Sequence, residues 1–131
     1  MTTLGRYTQR QAIRPTRAPA QRKWDMVRGK VLSSTVPTAV FRGDEILEVS
    51  VVDASRADAS SILLGRHRIP LAYGQQFPIR FQFLYDKSRA NDNHGSRTMQ
   101  ARIARRNGQL LFVNDTHIPW TSNVKIDVIK V

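Results

Sequence analysis

Asp53, Ser55, Arg56 and Asp58 bring two carboxylates, a hydroxyl and a guanidinium together directly after the alternating run Leu47-Glu48-Val49-Ser50-Val51-Val52. Two neighbouring carboxylates can serve as acid and base, or hold a cation. The same residue types also close turns. Asp and Ser bond their own backbone, and Arg56 can bridge to Asp53 or Asp58 while covering the strand end. The cluster is too short to be an element of its own, so it is read as a structural motif. Tyr85-Asp86 is read the same way: the phenol is expected to cap a sheet edge and bond backbone, and Asp86 to open the polar stretch 86–97.

Other candidates for chemistry are weaker. Asp115 and His117 stand two residues apart and would share a face in a strand, but no nucleophile-elbow glycine pattern accompanies them. His67, His94 and His117 lack the spacing of metal ligands, and no glycine-rich loop is present to cradle a phosphate. The chain has no cysteine, which excludes disulfides, thiol catalysis and thiolate metal sites. The sequence therefore predicts neither an enzyme nor a cofactor. The remaining candidate is an anion- or partner-binding set, Arg66, Arg68, Arg80, Arg102, Arg105 and Arg106, placed on or near wet strand faces. It forms one positive patch if its strands are neighbours. It is a solvated face if Glu48, Asp58 and Asp127 neutralise it.

These side chains must be positioned by strands, because no segment sustains a period of 3.6 residues. Phe77, Ile79, Phe81 and Phe83 alternate with Pro78, Arg80 and Gln82. Met99, Ala101 and Ile103 alternate with Gln100 and Arg102, and Val124, Ile126 and Val128 with Lys125 and Asp127. A period of two gives each strand one dry and one wet face. Strands are predicted over 26–33, 46–53, 62–69, 77–84, 98–105, 109–114 and 124–131, with a type I′ hairpin at Asn107-Gly108. The fold class is all-β: a single antiparallel β-sandwich or open (cracked) barrel of about seven strands.

Charge divides the chain. The net charge is +11, and Arg6, Arg10, Arg14, Arg17, Arg22 and Lys23 supply six positive charges in an acid-free opening segment. Residues 1–23 are expected to be a disordered Arg-rich arm and 24–131 a β-sandwich domain. An anion-binding arm and a mitochondrial transit peptide are the alternatives for the first segment. Arginine outnumbers lysine 16 to 5, which favours bidentate pairing with carboxylates or phosphates. No apolar run approaches the ~20 residues of a membrane span, and the start lacks a secretory apolar core. Both readings favour a cytoplasmic over an exported location, with a mitochondrial one as the alternative.

Several blocks, in order, resemble the bacterial YbaY-type lipoprotein family, which includes the type III secretion system lipoprotein chaperones (pilotins, YscW-like). They are Val27-Arg28-Gly29-Lys30-Val31, Leu47–Val52 leading into Asp53-Ala54-Ser55-Arg56-Ala57-Asp58, Gly74-Gln75, Pro78-Ile79-Arg80-Phe81, Tyr85-Asp86, Ala101-Arg102-Ile103, Gly108-Gln109-Leu110-Leu111-Phe112, Asp115-Thr116 and Pro119. The resemblance covers about 27–131 and implies a small β-sandwich or cracked barrel without enzymatic activity. This chain has no cysteine to lipidate, and the family's common aromatic about four positions before Ala101 is replaced by Arg97 or Thr98. The expected function is a small binding or chaperone-like adaptor that holds a protein partner by β-augmentation. The alternative is a basic module that binds nucleic acid or an anionic membrane surface through the arm and the Arg-rich face.

Overall fold

Alternate residues of one strand after another turn inward, and this period of two builds the molecule. A computed structural model of the chain describes residues 23–54, 61–89 and 97–131. Its strands are β1 (Trp24–Leu32), β2 (Glu45–Asp53), β3 (Ile62–Pro70), β4 (Ile79–Asp86), β5 (Arg97–Arg105), β6 (Leu110–Val113), β7 (Ile118–Pro119), β8 (Asn123–Asp127) and β9 (Ile129–Lys130). A 3-10 turn, Lys87–Arg89, follows β4. The all-β expectation holds. Two sheets form, and neither closes into a barrel. One has the order β4-β1-β8, the other β3-β2-β5-β6-β9 with β7 paired to β5.

Between the sheets lie Val27 and Val31 of β1, Leu47, Val49 and Val51 of β2, Ile79, Phe81 and Tyr85 of β4, and Met99, Ala101 and Ile103 of β5, all buried. Burying a large apolar side chain contributes about 1.5–3 kcal/mol, so this shared layer holds the two sheets face to face. Phe41 closes one end of it, edge-on to Phe77 at 5.3 Å and to Phe112 at 6.0 Å.

Four expectations change. First, β4 begins at Ile79 rather than 77, because Pro78 has no N–H to donate; its bond to Phe77 is cis, and Phe77 packs on Phe41 and Phe112 instead. Second, the stretch 124–131 is two strands. Val128 is fully buried between them, with β8 on β1 and β9 on β6. Third, the β1–β8 pairing is parallel, whereas every other strand pair is antiparallel. Gly29 admits it: a Cβ there would stand 2.0 Å from the Val124 carbonyl oxygen. Fourth, the β5–β6 hairpin is not type I′. Only Gly108 has a positive φ, Asn107 accepts a bond from the Gln109 N–H, and the ladder shifts register after Ile103. That is a three-residue loop with a glycine bulge.

Candidate functional site

The outer face of the larger sheet gathers most of the sequence-predicted cations. Outward positions on β3 carry Arg66 and Arg68, on β2 Glu48, and on β5 Gln100 and Arg102. In the ladders Glu48 stands opposite Arg68 on one side and Arg102 on the other. Its carboxylate lies 3.7 Å from Arg66 and 3.4 Å from Arg68. Arg105 pairs with Asp44 at 3.3 Å, and the Arg106 N–H bonds the Asp44 carbonyl. A cavity of about 360 Å³ opens here, lined by Glu48, Ser50, Arg66, Gln100, Arg102 and Asn114. A second, of about 200 Å³, shares Glu48 and Arg102 and reaches Arg68, Arg105 and Arg106.

Arg80 does not belong to this set. It projects from β4, on the outer face of the smaller sheet. The expected neutralisation also differs. Glu48 partly neutralises the patch through Arg66 and Arg68, but Asp127 sits on the other sheet, where it accepts bonds from the Ser34 N–H at 2.8 Å and hydroxyl at 2.7 Å. Asp44, not singled out from the sequence, takes its place. Asp58 lies outside the described residues, as do Ser55 and Arg56, so the predicted Arg56 bridge does too.

Asp53 and Tyr85 fall at one end of the core, within a polar group that the sequence reading did not assemble. Tyr85 is fully buried. Its hydroxyl accepts a bond from Arg97 Nη1 at 3.0 Å and donates to Asp25 Oδ2 at 3.4 Å. The expected backbone partner is thus replaced by two charged side chains. The Arg97 guanidinium also lies over the Tyr85 ring, 5.8 Å from its centroid, and Trp120 meets that ring edge-on at 6.2 Å. Arg97 pairs in register with Asp53, and both are buried. Burial pushes the Tyr85 phenol above its ordinary 10.0; the Arg97 charge opposes this and Asp25 adds to it. The phenol thus bridges a cation and an acid at this end of the core.

Arg97 could have been found from phase alone. It falls on the inward parity of Met99, Ala101 and Ile103, as Asp53 does with Val49 and Val51, and Tyr85 with Phe81 and Phe83. Asp86, one step out of phase, ends β4 and accepts bonds from the Ser88 N–H and hydroxyl. Those bonds, above all the hydroxyl's, hold its carboxyl below the ordinary 3.8.

The remaining candidates do not converge. Asp115, Thr116 and His117 lie in the connection between β6 and β7, so no strand face joins them. His67 stacks on Phe83 with ring centroids 5.5 Å apart, and His94 lies outside the described residues. Among the described residues no three His, Cys, Asp or Glu side chains group as metal ligands.

The comparisons with known proteins point one way. The family model of the type III secretion system lipoprotein chaperone (YscW) matches residues 26–129. A solved structure of an alternative pilotin from the type II secretion system of Vibrio cholerae superposes with a TM-score of 0.73 at 25% identity. The match covers 83% of this chain and 98% of that one. A search of curated proteins finds no match.

Proposed function

Because the chain belongs to the type III secretion system lipoprotein chaperone (YscW) family, we propose that it is a non-enzymatic, chaperone-like adaptor that holds a segment of a partner protein as an added strand on β3. The observation that carries this reading is the edge itself. β3 is nine residues long and ends its sheet, paired to β2 on one side. Among the described residues its other side makes no backbone hydrogen bond. An edge of that length is a template for another chain, and main-chain bonds supply affinity with little demand on sequence.

Selectivity would come from side chains. A strand added beside β3 runs along Arg66 and Arg68, whose positive charge is only partly met by Glu48. Acidic residues at alternate positions of the incoming segment fit this border, and the larger cavity beyond it accepts a side chain reaching over β3.

The test is affinity capture with the full chain, followed by amide hydrogen exchange on the chain with and without the purified partner. Slowed exchange along Ile62–Pro70 is the expected result. Protection elsewhere with β3 unchanged would overturn strand addition. Competition by a single-stranded oligonucleotide, with exchange along β3 unchanged, would instead indicate phosphate contacts.

A further inference from the structure

The outer face of the smaller sheet carries a different pattern. Outward positions along β1 read Trp24, Met26, Arg28, Lys30, passing from apolar to cationic within one strand. Met26 stands opposite Leu84 of β4, and Trp24 follows on the same side. Trp24, Met26 and Leu84 are 49%, 39% and 54% exposed, an apolar cluster left open to solvent. Further along, Lys30 stands opposite Arg80 on one side and Lys125 on the other. With strands about 4.8 Å apart, three positive charges lie in a row across the whole sheet. Like charges directly opposite each other destabilise a sheet.

Among the described residues nothing on the face compensates them. Among the described residues Arg28, Lys30, Arg80 and Lys125 form no ion pair. The two acids of this face stand at its ends and are engaged, Asp86 with Lys23 and Ser88, and Asp127 with Ser34. Between the apolar cluster and the cationic row lies a broad depression of about 460 Å³. Its lining includes Arg28, Arg80, Gln82 and Asn123, two guanidinium forks and two amides, and no carboxylate. Such a donor set fits a phosphate.

We propose that this face docks on an anionic phospholipid bilayer. Trp24, Met26 and Leu84 enter the interface, and Arg28, Arg80, Lys30 and Lys125 meet the headgroup phosphates. The neighbouring zones select this occupant. A phospholipid joins a phosphate to an apolar chain, as this face joins a donor-lined depression to a Trp–Met–Leu cluster. Trp settles at the membrane interface, and each Lys or Arg near an anionic leaflet adds affinity. Single-stranded nucleic acid needs several aromatic platforms, and here one aromatic stands beside two aliphatic side chains.

The full chain is mixed with vesicles of phosphatidylcholine alone, and of phosphatidylcholine with about a third phosphatidylglycerol, and sedimented. In a Trp120→Phe background Trp24 is the sole tryptophan. Expected are binding to the anionic vesicles and a blue shift of Trp24 emission. Arg28→Gln with Arg80→Gln should weaken binding about thirtyfold, at roughly fivefold per charge near the surface. Met26→Ser with Leu84→Ser should weaken it in high salt as well. Circular dichroism establishes that each variant is folded. Lack of binding to the anionic vesicles overturns the proposal. So does binding that both double variants leave unchanged, which would place the contact elsewhere in the chain. Binding to a single-stranded oligonucleotide or an acidic peptide that displaces the vesicles without any blue shift overturns it too.

Discussion

The two outer faces carry similar numbers of cations and differ in what stands beside them. On the larger sheet Glu48 sits between Arg68 and Arg102, and Asp44 meets Arg105. On the smaller sheet the corresponding central position is Lys30, between Arg80 and Lys125. One face is a mosaic in which acids partly offset the cations. The other is a row of one sign that ends in exposed Trp24, Met26 and Leu84. A count of arginines along the chain therefore ranks the faces wrongly, because cross-strand neighbours decide whether a charge is available to a ligand.

The largest expected effect tests whether inside and outside are assigned correctly on the strand that carries Arg80. Phe81→Ala should cost about 3–5 kcal/mol in chemical denaturation, as a buried Phe does. Arg80→Ala should cost under about 0.5 kcal/mol, since the face relinquishes only an unmatched charge. Equal costs would remove the basis for separating the two faces.

Next comes the buried polar end. Arg97→Ala should lower stability by about 2 kcal/mol, the loss of a charge-assisted bond to a buried hydroxyl. Tyr85 also makes this end sensitive to pH. Its phenol is raised above 10.0 in the folded chain by burial, so the folded state keeps a proton that the unfolded state releases. That contribution is complete below the ordinary value and is lost as pH rises through the folded one. Thermal midpoints measured upward from neutral pH should fall beyond about 10 in the native chain, and less steeply in Tyr85→Phe.

The smallest effects give the sharpest form of the comparison. Lys30→Glu should stabilise the domain by up to about 1 kcal/mol, because it places an acid between two cations. Glu48→Lys, the reciprocal change on the larger sheet, should destabilise it by a similar amount. The same sign for both would show that the faces are not electrostatically distinct.

Phase was legible in the sequence and sheet membership was not. Period-two alternation located seven of the nine strands of the described residues, and their short, regular spacing pointed to a sandwich or open barrel. The same alternation, carried one step past the apolar residues, points Asp53, Tyr85 and Arg97 inward. Reading them as turn and edge residues stopped that step short. Which sheet receives a strand depends on partners far along the chain, so Arg80 was grouped with Arg102 although they face opposite sides of the sandwich. The parallel seat of β8 and the crossover at Val128 are equally non-local; only Gly29, small where β8 must approach, hints at them.

The crossover at Val128 has a consequence for how the domain is made. β1 is synthesised well before β8, yet one of its sides pairs with β8. β9 then caps the other sheet, so neither layer is complete until the strands after Asn123 exist. Pairings of such long sequence separation form slowly, and the unfinished edges stay open to other chains meanwhile. Vectorial synthesis is therefore expected to supply no stable partial product of this domain. A chain interrupted before β8 is expected to aggregate, because the edges of β1 and β6 that β8 and β9 cover would stay open.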